Sequence, residues 1–86
     1  MQQSSAPILP GASLRKARLI GADLQRSQLV DADLSYADLT GADLREANLR
    51  GANLKGAILA NADLTGALVS TRQLKKAKTM NGAKPP

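Results

Sequence analysis

From residue 14 to residue 74 an aliphatic side chain returns at every fifth position. Leu fills twelve of these thirteen centres, from Leu14 to Leu74, and Val69 fills the other. Ala stands two residues before the centre in eleven cases, Ser27 and Arg72 being the exceptions. On an α-helix five steps of about 100° place each Leu about 140° from the last, so the set spirals round the axis without forming a stripe. On a straight strand residues five apart face opposite sides. Every Leu points inward only if the chain turns once per pentad, which coils it into stacked short segments, a β-solenoid.

Side-chain size agrees with this reading. In Ala37-Asp38-Leu39-Thr40-Gly41 the large centre and the small residue two before it share the inner side, and the other three lie outside. The last position is often Gly (Gly21, Gly41, Gly51, Gly56, Gly66) or Asn61, residue types that tolerate a left-handed turn. The triplets Ala22-Asp23-Leu24, Ala32-Asp33-Leu34, Ala37-Asp38-Leu39, Ala42-Asp43-Leu44, Ala47-Asn48-Leu49, Ala52-Asn53-Leu54 and Ala62-Asp63-Leu64 make the chain resemble the pentapeptide repeat proteins, whose pattern is A-(D/N)-L-X-X. The match runs over roughly residues 12–76. The resemblance implies an all-β fold: a right-handed quadrilateral β-helix with four pentapeptides per coil and about three coils. A twenty-residue echo of Gly21, Gly41, Asn61 and Asn81 is consistent with four. Residues 1–11, with Pro7 and Pro10, read as a flexible N-terminal arm, 12–76 as the solenoid, and 77–86 as a C-terminal tail or cap. Over residues 72–80 a short basic helix and a last irregular turn both fit the sequence.

The 86 residues hold no Cys and no His, which removes disulfides, thiolate chemistry and the usual proton shuttle near neutral pH. Neither a secretory leader nor a bilayer-spanning run is legible, so the expectation is a soluble, cytoplasmic protein. A core filled by Leu leaves no pocket. The glycines form no phosphate loop, and no acid–base or nucleophile constellation is present, so the expectation is no enzyme and no cofactor. The acidic column Asp23, Asp43 and Asp63 has Arg26 and Arg45 beside it, and no metal site is expected.

The net charge of +5 is unevenly placed. With pentads dealt onto four walls from residue 12, the first wall carries Arg15, Lys16, Lys55, Arg72, Lys75 and Lys76 against Asp33 alone, together with the single aromatic residue, Tyr36. The second wall exposes Ile20, Ile58, Ala60 and Met80. The first wall reads either as a solvated surface or as a docking strip made of Arg15, Lys16, Tyr36, Lys55, Arg72, Lys75 and Lys76. The resulting expectation is a non-enzymatic protein-interaction module or accessory subunit of a larger assembly, similar to the short pentapeptide repeat proteins of bacteria, especially cyanobacteria, docking a protein partner through a wall or an end. One alternative is a binder of nucleic acid or lipid headgroups through the basic wall. Another is end-to-end homodimerisation through exposed edges. Some relatives in the family mimic DNA and bind topoisomerases, a role that requires an acidic surface.

Overall fold

A computed structural model describes residues 10–86. The backbone solves the same hydrogen-bonding problem in each pentad. The centre N–H donates to the neighbouring circuit, as Leu14 does to the Asp33 carbonyl (2.8 Å) and Leu39 to Ile58 (2.8 Å). The N–H one residue earlier donates the opposite way, as Asp33 does to Ala12 (2.9 Å). The last residue of the pentad donates forward, Lys16 to Ser35 (2.9 Å), and the first donates within the turn, Ala17 to the Leu14 carbonyl (3.0 Å). The remaining N–H follows the centre. In most pentads an Asp or Asn side chain accepts from it, as Asp38 Oδ1 does from Thr40 (3.1 Å) and Asn53 Oδ1 from Lys55 (3.0 Å). That asparagine-type turn is the physical use of the Asp/Asn position. Each pentad thereby pairs a backbone that runs close to the surface.

Parallel bridges from Ser13↔Asp33 to Asn48↔Leu68 join positions twenty apart. At five residues per pentad, the chain returns to the same wall every fourth pentad. The bridges are isolated, one per pentad, because each straight piece between turns is shorter than an ordinary strand. The fifth position sits in the left-handed region whether or not it is glycine: Lys16, Tyr36, Glu46 and Asn61 have φ of 62°, 60°, 59° and 60°.

Leu29, Leu34, Leu39, Leu44, Leu49, Leu54, Leu59 and Leu64 are fully buried, with Ala32, Ala37, Ala47, Ala57 and Ala62 between them. Each such Leu contributes about 1.5–3 kcal/mol of gross burial free energy. Leu14, Leu19 and Ala22, in the first circuit, are only partly buried.

The regular ladder is interrupted by α1, Thr71–Lys75. Ser70 caps it: its hydroxyl accepts from Gln73 N–H while the Gln73 side chain accepts from Ser70 N–H, a reciprocal capping box. Past α1 the chain rejoins the stack with bridges Ile58↔Thr79 and Asp63↔Lys84, now twenty-one residues apart. One extra residue has entered. Met80 therefore takes a centre position and packs on the core, half-buried, and is not an outward residue of the second wall as the five-residue count suggests. For the same reason the corner slot of Gly21, Gly41 and Asn61 passes to Gly82 (φ 79°) and not to Asn81. Residues 1–9, which hold most of the expected arm, lie outside the described residues. At the arm's end Gly11 N–H already donates to the Val30 carbonyl (2.8 Å).

Candidate functional site

The outer face of the first wall is built by two adjacent columns. One holds Arg15, Ser35, Lys55 and Lys76; the hydrogen bonds Lys16 N–H to Ser35, Tyr36 N–H to Lys55 and Gly56 N–H to Lys76 fix this order. The other holds Lys16, Tyr36 and Gly56, all at left-handed corners. The extra residue thus puts Lys76 in the column of Lys55, where the count from 12 puts Lys75. Arg72 and Lys75 stand on α1 instead. All seven residues singled out from the sequence are exposed.

Arg15 is held in place. Its guanidinium lies 5.0 Å from the Tyr36 ring centroid, and its Nη1 donates to Ser35 Oγ (3.1 Å). Ser35 is itself buried and donates to Asp33 Oδ1 (2.6 Å). The Ser35 hydroxyl, then its backbone N–H, hold the Asp33 carboxyl below its ordinary value of 3.8, with the charge of Arg15 adding to the effect. A cation over an exposed ring is stabilised by about 0.5–1 kcal/mol. Tyr36 in turn lies across Gly56: a Cβ there would fall 2.5 Å from the ring. The sequence places Arg15 and Tyr36 on one wall, but their stacking depends on a glycine twenty residues further on. The wall presents one fixed guanidinium among free ammonium groups, an arrangement suited to a carboxylate or phosphate.

The third wall has the opposite character. Asp23, Asp43, Asp63 and Lys84 form one column through successive bridges. Each Asp accepts from the N–H two residues on, and Arg45 bonds Asp43 through Nε (2.9 Å) and Nη2 (2.7 Å). The Arg45 contact lowers the Asp43 carboxyl, and the Thr65 hydroxyl does the same for Asp63. Arg26 pairs with Glu46 (3.2 Å) and Lys84 approaches Asp63 (4.0 Å). No group of three or more potential ligands placed to hold a metal ion occurs among the described residues.

One feature escaped the reading of the sequence. A groove of about 390 Å³ opens at the end of the fourth wall, lined by Arg50, Leu68, Val69, Ser70 and Gln73 among others. It lies at an edge of the stack and leaves the core filled. Leu68 is 42% exposed there. Gln73 closes its inner side, its Nε2 donating to the Leu49 (2.7 Å) and Ala52 (3.0 Å) carbonyls. The Ser70-x-x-Gln73 spacing is a sequence signal for the capped start of α1, but not for the contacts of Gln73 with Leu49 and Ala52. On the second wall Ile20 is 55% exposed, whereas Ile58 and Ala60 are half-buried. No described helix is long and apolar enough to cross a membrane.

Comparison with known proteins gives a consistent result. The family model for pentapeptide repeats matches eight copies over residues 5–35 and 32–70. Among solved structures the chain is similar to HetL of the cyanobacterium Nostoc sp. strain PCC 7120, a pentapeptide repeat protein involved in heterocyst differentiation regulation. The two share 36% identity with a TM-score of 0.67, over 85% of this chain and 32% of that one. It is also similar to the pentapeptide repeat protein Rfr23 of the cyanobacterium Cyanothece 51142, with 36% identity and a TM-score of 0.66, over 88% of this chain and 48% of that one. The chain thus spans less than half the length of either relative. No curated protein sequence matches it. On the tandem match and the stacked pentads that carry it, this chain belongs to the pentapeptide repeat family.

Proposed function

We propose that this chain is a non-enzymatic protein-interaction module or accessory subunit, a right-handed quadrilateral β-helix of about three coils that works in the cytoplasm and docks a protein partner through its first wall. Proteins of this family are typically interaction or structural proteins. The observation that carries the reading is the fixing of Arg15 by Tyr36 and Ser35 on an exposed basic face, on a body whose interior is filled. Holding a cation in place before binding removes part of the entropic cost of ordering it at an interface. The partner surface that fits is acidic.

The test is capture from the native host with the wild type and with Lys55→Glu/Lys75→Glu/Lys76→Glu. The three side chains are exposed, so the fold should survive, and recovery of the partner should fall at least tenfold. Equal recovery by both baits would remove the first wall from the account. The +5 charge favours a second reading, direct binding of nucleic acid or lipid headgroups. It predicts a gel shift or liposome binding at low salt that fades steeply as salt is added. The same charge opposes a DNA-mimic role on topoisomerases, which rests on an acidic surface.

A further inference from the structure

Of the four asparagines, Asn81 alone precedes a glycine, and the pair Asn81-Gly82 is exposed. A glycine leaves its own N–H unshielded by any side chain, so that nitrogen can reach the carboxamide of the residue before it. At the other three asparagines at least one of the two reacting groups is engaged. Asn48 Oδ1 accepts from Arg50 N–H (3.2 Å), and the N–H that follows, that of Leu49, donates to the Leu68 carbonyl (3.0 Å). Asn53 Oδ1 accepts from Lys55 N–H (3.0 Å), and the Leu54 that follows is buried. After Asn61 the Ala62 N–H donates to the Leu59 carbonyl (3.0 Å).

At Asn81 both groups are open. The corner N–H groups of Gly21, Gly41 and Asn61 each donate to the following circuit, at 2.8, 2.8 and 2.9 Å. Gly82 takes the same slot, and its N–H has no partner among the described residues. The Asn81 carboxamide has none among them either. Its hydrogen bonds run through the backbone, the N–H donating to Thr79 Oγ1 (3.0 Å) and the carbonyl accepting from Asn61 N–H (2.9 Å). That last bond favours attack by Gly82 N. When this nitrogen gives up its proton, negative charge spreads onto the Asn81 carbonyl oxygen, and the Asn61 N–H is already aimed at it.

We propose that Asn81 is a site of spontaneous deamidation, and that the modification unlatches residues 83–86 from the third wall. Gly82 N attacks Asn81 Cγ. The new C–N bond closes a succinimide ring, the Cγ–Nδ2 bond breaks, and ammonia leaves with the proton that Gly82 N gave up. Water then opens the ring. Attack at Cγ gives aspartate. Attack at the backbone carbonyl gives isoaspartate, whose main chain runs through the former side chain and is one methylene longer. The corner has no room for that methylene. Asn81 and Gly82 are the central pair of a turn closed by Ala83 N–H on the Met80 carbonyl (2.9 Å), and a Cβ at Gly82 would collide with Asn61 Oδ1. Before the turn the chain is held by Lys78 N–H on the Ala57 carbonyl (2.7 Å), by Leu59 N–H on the Thr79 carbonyl (3.0 Å) and by Met80 on the core. After it, Lys84 bonds the Ala62 carbonyl (2.8 Å) and Leu64 N–H (2.9 Å) and approaches Asp63 (4.0 Å). This exposed second flank has no side chain on the core, so it is the one that gives way.

Incubation of the folded 86-residue protein in neutral and mildly alkaline buffer, followed by tryptic mapping, tests the site. The four asparagines fall in four separate tryptic peptides, with Asn81 in Thr79–Pro86. That peptide should gain the mass difference between a hydroxyl and an amino group at least tenfold faster than the other three. The rate should rise with pH, because Gly82 N must lose its proton, and Asn81→Gln should abolish it, because the larger ring closes far more slowly. Hydrogen exchange on the purified isoaspartyl form tests the release. The Leu64 and Lys84 amides should exchange at least tenfold faster than in the wild type, and the Leu39 amide at an unchanged rate. Freshly prepared Asn81→Asp, which adds the charge without the methylene, should match the wild type. Conversion at Asn81 no faster than at Asn48 overturns the proposal. So does an isoaspartyl form with unchanged exchange at Leu64, or an Asn81→Asp variant loosened as much as that form.

Discussion

At the scale of single residues the repeated Asp does most of its work through hydrogen bonds to its own turn. Asp33, Asp38 and Asp63 each accept from both the N–H and the hydroxyl of the residue two ahead, and those bonds hold all three carboxyls below 3.8. A carboxyl whose folded-state value is depressed stabilises the fold above its unfolded value. That contribution is lost as pH falls through the lower, folded value. Acid unfolding should therefore set in below the ordinary carboxylate range. The variant Asp33→Asn/Asp38→Asn/Asp63→Asn keeps an acceptor at each turn, as Asn48 and Asn53 already do, and cannot titrate. Its urea midpoint should fall less than that of the wild type between about pH 5 and pH 2. Parallel pH profiles for the two proteins would refute the role given to these carboxylates.

At the scale of elements α1 replaces a piece of ladder. In the regular stack the Ala52 carbonyl would accept a backbone N–H from the following circuit, as Ala32 accepts from Asn53 (2.9 Å). The helix turns its own N–H groups elsewhere, and the Gln73 carboxamide supplies the missing donor while also completing the cap on Ser70. Gln73→Ala leaves a part-buried carbonyl without this donor and opens the cap, and should cost about 1–3 kcal/mol in urea denaturation. Arg72→Ala, exposed on the same helix, should stay within about 0.5 kcal/mol of wild type. Equal effects of the two would mean that α1 merely rests on the end of the stack. Of the two readings the sequence allows for residues 72–80, a helix and an irregular turn, the structure contains both in succession: α1 over Thr71–Lys75, then a turn that rejoins the ladder.

At the scale of the whole molecule stability should rise from the first circuit toward the middle, because interior circuits are covered on both sides and, among the described residues, the first is not. Leu39 is fully buried and Leu14 only partly. Leu39→Ala should therefore cost about 2–5 kcal/mol by denaturant titration, and Leu14→Ala less than half as much. Similar losses at the two sites would show that the partly buried first circuit is no weaker than the middle. The same geometry buries the Leu and Ala centres and leaves the charged and polar side chains on the outer columns.

The five-residue period settled by itself that Leu would lie inside and Asp or Asn at the turn, because only a chain that turns once per pentad sends every fifth side chain the same way. With the four pentads per circuit that the family resemblance implies, counting also placed Arg15, Lys16, Tyr36 and Lys55 on one wall. Only the tertiary structure decided what lies past Ser70. There a capped helix adds one residue, and that residue moves Lys76 into the column of Lys55, Met80 onto the core and Gly82 into the corner slot. It likewise decided that Arg15 rests on Tyr36 and that Tyr36 rests on Gly56. The reason is that register between circuits is set by backbone hydrogen bonds between residues twenty or twenty-one apart, and no local feature of the sequence says which of the two a circuit will take.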